Sequence, residues 1–277
     1  MKFGAHVGIA GGVDNAPKNA AAIGCETFQM FTRSPQGGPA PKLTPALVDS
    51  FLAGCAKFNL TEWVVHAPYY LNFASAEERI RQSSARVVRE DLERASLLQS
   101  SYLMFHPGSA RDVGFKQAMD WCIEGLKTVL DGYTGQTKLL IEISAGAGEV
   151  MGDAFEEIAE MISGAGNPEL GVCFDTAHAF ASGYDLRDQR SVCATFDAFD
   201  KTIGLAKLKA IHCNDSKIEL GGRKDRHEHL GDGFIGLAGF EAIVKEPRLQ
   251  TINLYLETEP EGVGRDLAKL KELRDNG

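Results

Sequence analysis

The chain has 277 residues, 44% of them hydrophobic and 24% charged, and its 38 acidic against 29 basic side chains give a formal net charge of -9. That balance excludes a disordered or fibrous chain, and no run approaches the roughly 20 apolar residues that span a bilayer. No basic start leads into a long apolar run, so a cytoplasmic protein without a membrane partner is expected, and an acidic pI near 5.3 argues against a broad basic surface for nucleic acid.

Taken in order, strand-like runs fall near 2–7, 25–31, 61–66, 101–106, 138–143, 170–175, 208–213 and 251–257. Helical patterns alternate with them near 13–24, 44–58, 76–100, 191–207, 237–246 and 264–275. Two more apolar faces recur at helical spacing, through Phe115, Ala118, Cys122, Leu126 and Val129 and through Phe155, Ile158, Ala159 and Ile162. Eight strand-helix units without a linker predict a single α/β domain over 1–277, a (β/α)8 TIM barrel. An open doubly wound sheet is the competitor, but Gly8-Ile9-Ala10-Gly11-Gly12 does not match its GxGxxG turn.

Almost every run stops on a residue that is costly to bury. His6, His66, His106, Glu142, Asp175, His212 and Glu257 end seven of the eight. In a barrel these ends form the rim that carries the active site, so polar terminators gathered there call for a compensating partner, and metal ions are the economical one. Asp175 and His178 are three apart and face one cavity if a helix starts between them; Asp225 and His227 share a face only in extended chain. Residues 214–239 form the longest irregular stretch and carry Asp225, His227 and His229. The six cysteines contain no CxxC pair, and Cys213 beside His212 should point to the opposite face of its strand. The helix over 76–100 interleaves Arg79, Arg81, Arg86, Arg89 and Arg94 with Glu77, Glu78, Glu90, Asp91 and Glu93, a salt-bridged solvent face rather than a nucleic-acid patch.

Nine imidazole and carboxylate candidates, His66, His106, Glu142, Asp175, His178, His212, Asp225, His227 and Glu257, exceed what one tetrahedral ion uses and suffice for two or three with shared carboxylates. Such a cluster clamps a phosphate and lowers the pKa of a water ligand toward about 7, which supplies a nucleophile without GxSxG, and a Walker P-loop is also absent.

Phe105-His106-Pro107-Gly108-Ser109, Phe174-Asp175-Thr176-Ala177-His178-Ala179-Phe180 with Gly183-Tyr184-Asp185, His212-Cys213-Asn214-Asp215-Ser216-Lys217 and Asp225-Arg226-His227, in that order, resemble endonuclease IV, the zinc-dependent apurinic/apyrimidinic endonuclease family, from end to end. The resemblance implies three zinc ions, with manganese or iron at some positions. It implies a hydrolase of DNA base-excision repair that cuts double-stranded DNA 5′ to an abasic site, leaves a 3′ hydroxyl and also trims blocked 3′ ends, acting as a monomer. Carried over by position, His66, His106 and Glu142 hold the first ion. Glu142, as bridging catalytic carboxylate, holds the second with Asp175, His212 and Glu257, and His178, Asp225 and His227 hold the third. Arg33, Gln36, Tyr69 and Arg226 are expected nearest the DNA. The loop after the second strand departs from the family in carrying Gln36 and Gly38 where Arg and Trp are frequent, and Ile143 stands where Asn often follows the glutamate. The rival functions are a xylose-isomerase-like sugar isomerase or epimerase, against which the trio His178, Asp225 and His227 is superfluous, and a non-catalytic binder of damaged DNA. His6 and His229 receive no role.

Overall fold

The computed structural model describes residues 1–276. Eight parallel strands close into a barrel: β1 (Phe3–His6), β2 (Thr27–Met30), β3 (Val64–His66), β4 (Tyr102–Phe105), β5 (Lys138–Glu142), β6 (Gly171–Asp175), β7 (Leu208–His212) and β10 (Asn253–Leu256), with β10 returning to pair with β1. The open-sheet competitor is thereby excluded. The two-residue strands β8 (Asp215–Ser216) and β9 (His227–Glu228) pair antiparallel, so the stretch 214–239 is a pinned hairpin rather than wholly irregular.

Outside the barrel lie α1 (Ala16–Ala22), α2 (Pro45–Lys57), α3 (Glu78–Leu97), α4 (Phe115–Leu130), α5 (Phe155–Ala165), α6 (Thr176–Ser182), α7 (Gln189–Thr202), α8 (Gly236–Lys245) and α9 (Val263–Asp275). The predicted helix 191–207 stops early because Gly204, at φ 93, turns the chain into a separate 3-10 turn at Leu205–Lys207. The short α6 resolves the open condition on Asp175 and His178. Asp175 caps it by accepting the His178 N–H at 2.7 Å, and Gly183, at φ 109, ends it.

Alternation along each strand sorts side chains into two cores. Phe28, Met30, Val65, Leu103, Phe105, Leu139, Ile141, Val172, Phe174, Ile211, Cys213, Leu254 and Leu256 face the helices, so Cys213 does point away from the barrel axis. Val64, Met104, Leu140, Cys173, Ala210 and Tyr255 fill the barrel interior as one layer. Below it the floor is closed by the Tyr255 hydroxyl, which donates to the Glu62 carbonyl at 2.9 Å. Gly4 allows β1 to approach β2 closely, since a Cβ there would lie 2.3 Å from the Thr27 carbonyl oxygen. Above the apolar layer the same inward alternation carries His6, Gln29, His66, Glu142, Asp175 and His212 to the rim, which is how a sequence of buried strands produces a polar mouth.

Candidate metal centre

The nine predicted ligands, drawn from strand ends, α6 and the β8–β9 hairpin, converge. Glu142, fully buried at the end of β5, splits its carboxylate: Oε2 faces His66 Nε2 at 2.9 Å and His106 Nε2 at 3.4 Å, while Oε1 faces His212 Nδ1 at 2.7 Å. Glu257, just past β10, brings Oε2 to 3.2 Å from the same His212 nitrogen, and Asp175 Oδ2 stands 3.9 Å from it. Beside this, His178 and His227 meet Nε2 to Nε2 at 3.3 Å, with Asp225 Oδ1 at 3.2 and 3.5 Å from them. Groups able to hold a cation are therefore His66, His106 and Glu142; His66, His212 and Glu257; Glu142, Asp175, His212 and Glu257; and Asp175, His178 and His227, in which Asp175 takes the place expected for Asp225.

The hydrogen bonds test whether cations fit. His66 Nδ1 donates outward to the Ala67 carbonyl at 2.6 Å, His178 Nδ1 to the Ile143 carbonyl at 3.0 Å, and His212 Nε2 to the Gln29 amide oxygen at 2.6 Å. A neutral imidazole has one N–H, so in the neutral form of all three rings the inward nitrogen carries a lone pair aimed at a carboxylate oxygen. Two acceptors at such distances repel unless a proton or a metal lies between them. Protonating every ring would set imidazolium charges side by side, with ring centres 5.6 Å apart for His66 and His106, 5.4 Å for His106 and His178 and 5.2 Å for His178 and His227. Divalent cations satisfy all of these atoms at once, and the outward carbonyl bonds are the supports that orient metal-bound histidines. The residues fit metal.

The same demand for positive charge appears in the titration of the site. Burial disfavours the His178 imidazolium, yet Asp175, Asp225 and Glu142 outweigh it and lift the ring to about 10. Burial likewise opposes charge on Glu142, but His106, His212 and His66 hold its carboxyl well below the usual range. His6, at the foot of the cluster, is pushed down to about 4 by burial against the opposing pull of Glu257.

A cavity of about 790 Å³ opens above the candidate ligands, and Tyr69, Tyr70, Lys217 and Arg226 stand at its mouth. Tyr69 is 66% exposed, with its ring edge-on to Phe31 at 5.3 Å. Gln36 is exposed on the loop after β2, and Arg226 is exposed between Asp225 and His227. Arg33, expected near the DNA, is buried and ion-paired instead of reaching the surface. Its side chain is 4% exposed, with Nε on Asp91 Oδ1 at 2.8 Å and a terminal nitrogen 2.8 Å from Glu90 Oε2. Asp91 and Arg94 turn inward from α3 to meet it, so that helix keeps a salt-bridged outer face only in part, as in the Arg89–Glu93 pair at 2.7 Å.

Three buried polar residues assigned no role in the sequence turn out to support the ligands. Asn214 donates to Asp175 Oδ2 and accepts from the Glu257 N–H, both at 2.7 Å. Asp215 accepts backbone N–H groups of Ser216, Gly231, Gly233, Ile235 and Gly236, so one carboxylate gathers the hairpin that carries His227. Gln29 contacts both His212 and Glu257. The only signal available was a polar side chain at an inward position of a buried strand or directly after one. His229 lies outside the cluster and bonds Asp266 of α9 at 2.6 Å. Ile143 supports the site through its carbonyl, while its side chain packs in the outer core.

Residues 17–273 match the family model described as xylose isomerase-like TIM barrel. A protein of Carboxydothermus hydrogenoformans named probable endonuclease 4 is 38% identical over 99% of this chain and 97% of its own length. Another of that name from Aquifex aeolicus is 38% identical over 99% of this chain and 96% of its own. Among solved structures, endonuclease IV from Thermus thermophilus superposes with a TM-score of 0.90 at 34% identity, covering all of both chains.

Proposed function

The chain belongs to the endonuclease 4 family of xylose isomerase-like TIM barrels, and from that premise we propose that it is a metal-dependent apurinic/apyrimidinic endonuclease of DNA repair. It hydrolyses the backbone of duplex DNA 5′ to an abasic nucleotide, leaves a 3′ hydroxyl, and trims blocked 3′ ends by the same chemistry. The ions are zinc in three positions, with manganese or iron able to fill some of them, and the enzyme works as a cytoplasmic monomer. No described helix is long and apolar enough to cross a membrane.

The observation that carries this reading is the third group. A sugar isomerase of this barrel type needs no more than two ions, whereas His178 and His227 with the shared Asp175 form a further group, and Asp225 Oδ1, 3.2 and 3.5 Å from the two rings, adds an oxygen donor to it. Bound divalent ions supply Lewis acidity toward a phosphate and acidify a water ligand. The chain contributes the rest. Glu142 offers one oxygen to each of two groups and fixes their spacing. Tyr69 presents a ring face at the mouth, where a gap in base stacking is the cheapest place on a duplex to insert an aromatic. Gln36 and Arg226 are exposed beside this opening and would flank the path of the backbone.

A duplex oligonucleotide with one abasic analogue tests the reading. We expect a single cut on the 5′ side of the analogue, extendable by a polymerase, and at least about a 100-fold loss of rate in Glu142→Gln, which keeps shape but surrenders the charge. Intact DNA alongside aldose-ketose turnover would make this an isomerase. Retarded but uncut DNA in zinc-replete buffer would make it a binder.

A further inference from the structure

Gln29 occupies the third position of β2, between Phe28 and Met30, which face the outer core. Strand alternation turns its amide toward the barrel axis, where it is fully buried. Every polar atom of that amide is used. Nε2 donates to Glu257 Oε1 at 2.5 Å and to His6 Nδ1 at 3.0 Å, and Oε1 accepts from His212 Nε2 at 2.6 Å.

The order of cause runs outward from the carboxylate. Glu257 can only accept, so it selects the N–H side of the amide, and the carbonyl is left facing His212. An acceptor there requires the proton of His212 on Nε2. The Nδ1 lone pair is then the one turned to Glu142 and Glu257, at 2.7 and 3.2 Å. His6, its ring centre 4.4 Å from that of Phe31, engages the second N–H and opposes a flip of the amide.

We propose that Gln29 is a positioning residue for the metal centre: it fixes His212 as an Nδ1 ligand and holds Glu257 beside it, with His6 as its far anchor. The proposal rests on reading His212 and Glu257 as ligands of one ion. It gives His6, which no motif assigned, a task, and it places the control of that ion on β2, three strands round the barrel from β5 and Glu142.

Gln29→Met keeps the length and bulk of the side chain and removes all three bonds. Wild type, this variant and His6→Ala are compared by metal content per chain, by zinc titration against a competing chelator, by the visible spectrum of the cobalt-loaded protein, and by kcat and KM on the abasic duplex. We expect Gln29→Met to bind one ion about 10- to 100-fold more weakly, with an altered cobalt spectrum and a fall in kcat at nearly unchanged KM. His6→Ala should shift the same quantities in the same direction by less. Wild-type affinity and spectrum in Gln29→Met overturn the proposal. If Gln29→Met fails to fold, His6→Ala decides: weakened binding of one ion upholds the proposal and wild-type behaviour overturns it. A wild-type protein that neither binds metal nor cuts sinks the endonuclease reading itself, a failure distinct from that of Gln29.

Discussion

Glu142 ends a strand and Arg33 lies in the loop that follows one, and only the first of these charged residues was readable. Glu142 closes a run of buried apolar residues, where a carboxylate has no reason to be unless something offsets its charge, and the same logic exposes the other ligands at strand ends. Arg33 lies in a loop, and its partner Asp91 is 58 positions away on a helix. Nothing in the local sequence separates a guanidinium that reaches solvent from one that neutralises a buried acid. Gln29 was hidden for the opposite reason, as one amide inside an otherwise strand-like run. The structural role of Arg33 has a measurable signature. Arg33→Met leaves Asp91 without its nearest cation, and with Thr32 Oγ1 still at 3.0 Å and Arg94 Nε at 3.9 Å the loss should be roughly 3 kcal/mol in urea unfolding. The folded variant should bind abasic duplex within about twofold of wild type. Unchanged stability with weakened DNA binding would return Arg33 to the DNA surface.

At the scale of elements, strands and long helices followed from apolar periodicity, while the β8–β9 pair and α6 did not, because two residues of strand and two turns of helix are too short to show a period. Those short elements place His178 and His227, so the third group was the least legible part of the site. The loop between β5 and α5 has its own electrostatics. The Ser144 N–H bonds the Gly152 carbonyl, the Gly152 N–H bonds Glu157 at 2.7 Å, and Asp153 pairs with Arg223 at 2.8 Å, which ties this loop to the hairpin chain. Burial, and then the Asp153 carboxylate, push Glu157 up to about 7. The folded protein therefore holds that proton more tightly than the unfolded chain, so the side chain costs nothing below about pH 4.5 and progressively destabilises the fold as pH rises through 7. Glu157→Gln preserves the acceptor for Gly152 and should be more stable than wild type by roughly 1 kcal/mol at pH 8, a value reduced for partial solvent exposure, with little difference at pH 5. Denaturant titrations at the two pH values check this. A variant less stable at both would mean that the charged form is the favoured one.

The whole molecule resolves an apparent conflict between its charge and its substrate. A chain at -9 is a poor polyanion binder by bulk electrostatics, yet its clustered acidic residues are what would concentrate cations at the mouth of the barrel, beside Lys217 and Arg226. The eight-unit barrel was legible from the count of alternating elements, and its closure follows from β10 pairing with β1. Because the candidate ligands stand at the ends of six of the eight strands, bound ions would fasten distant parts of the sequence together. Stripping them should lower the melting temperature by about 5 °C or more, and zinc at roughly 100 times its dissociation constant should restore it. A melting curve indifferent to chelator would deny the ions any part in the fold.

The sealed floor beneath the apolar layer has a consequence for the order of events. With the Tyr255 hydroxyl tied to Glu62 and the interior filled by side chains, the described residues leave the cavity above the ligands as the open route for ions and duplex alike. Loading must precede docking, and a double helix lying across the opening imprisons the ions until it departs.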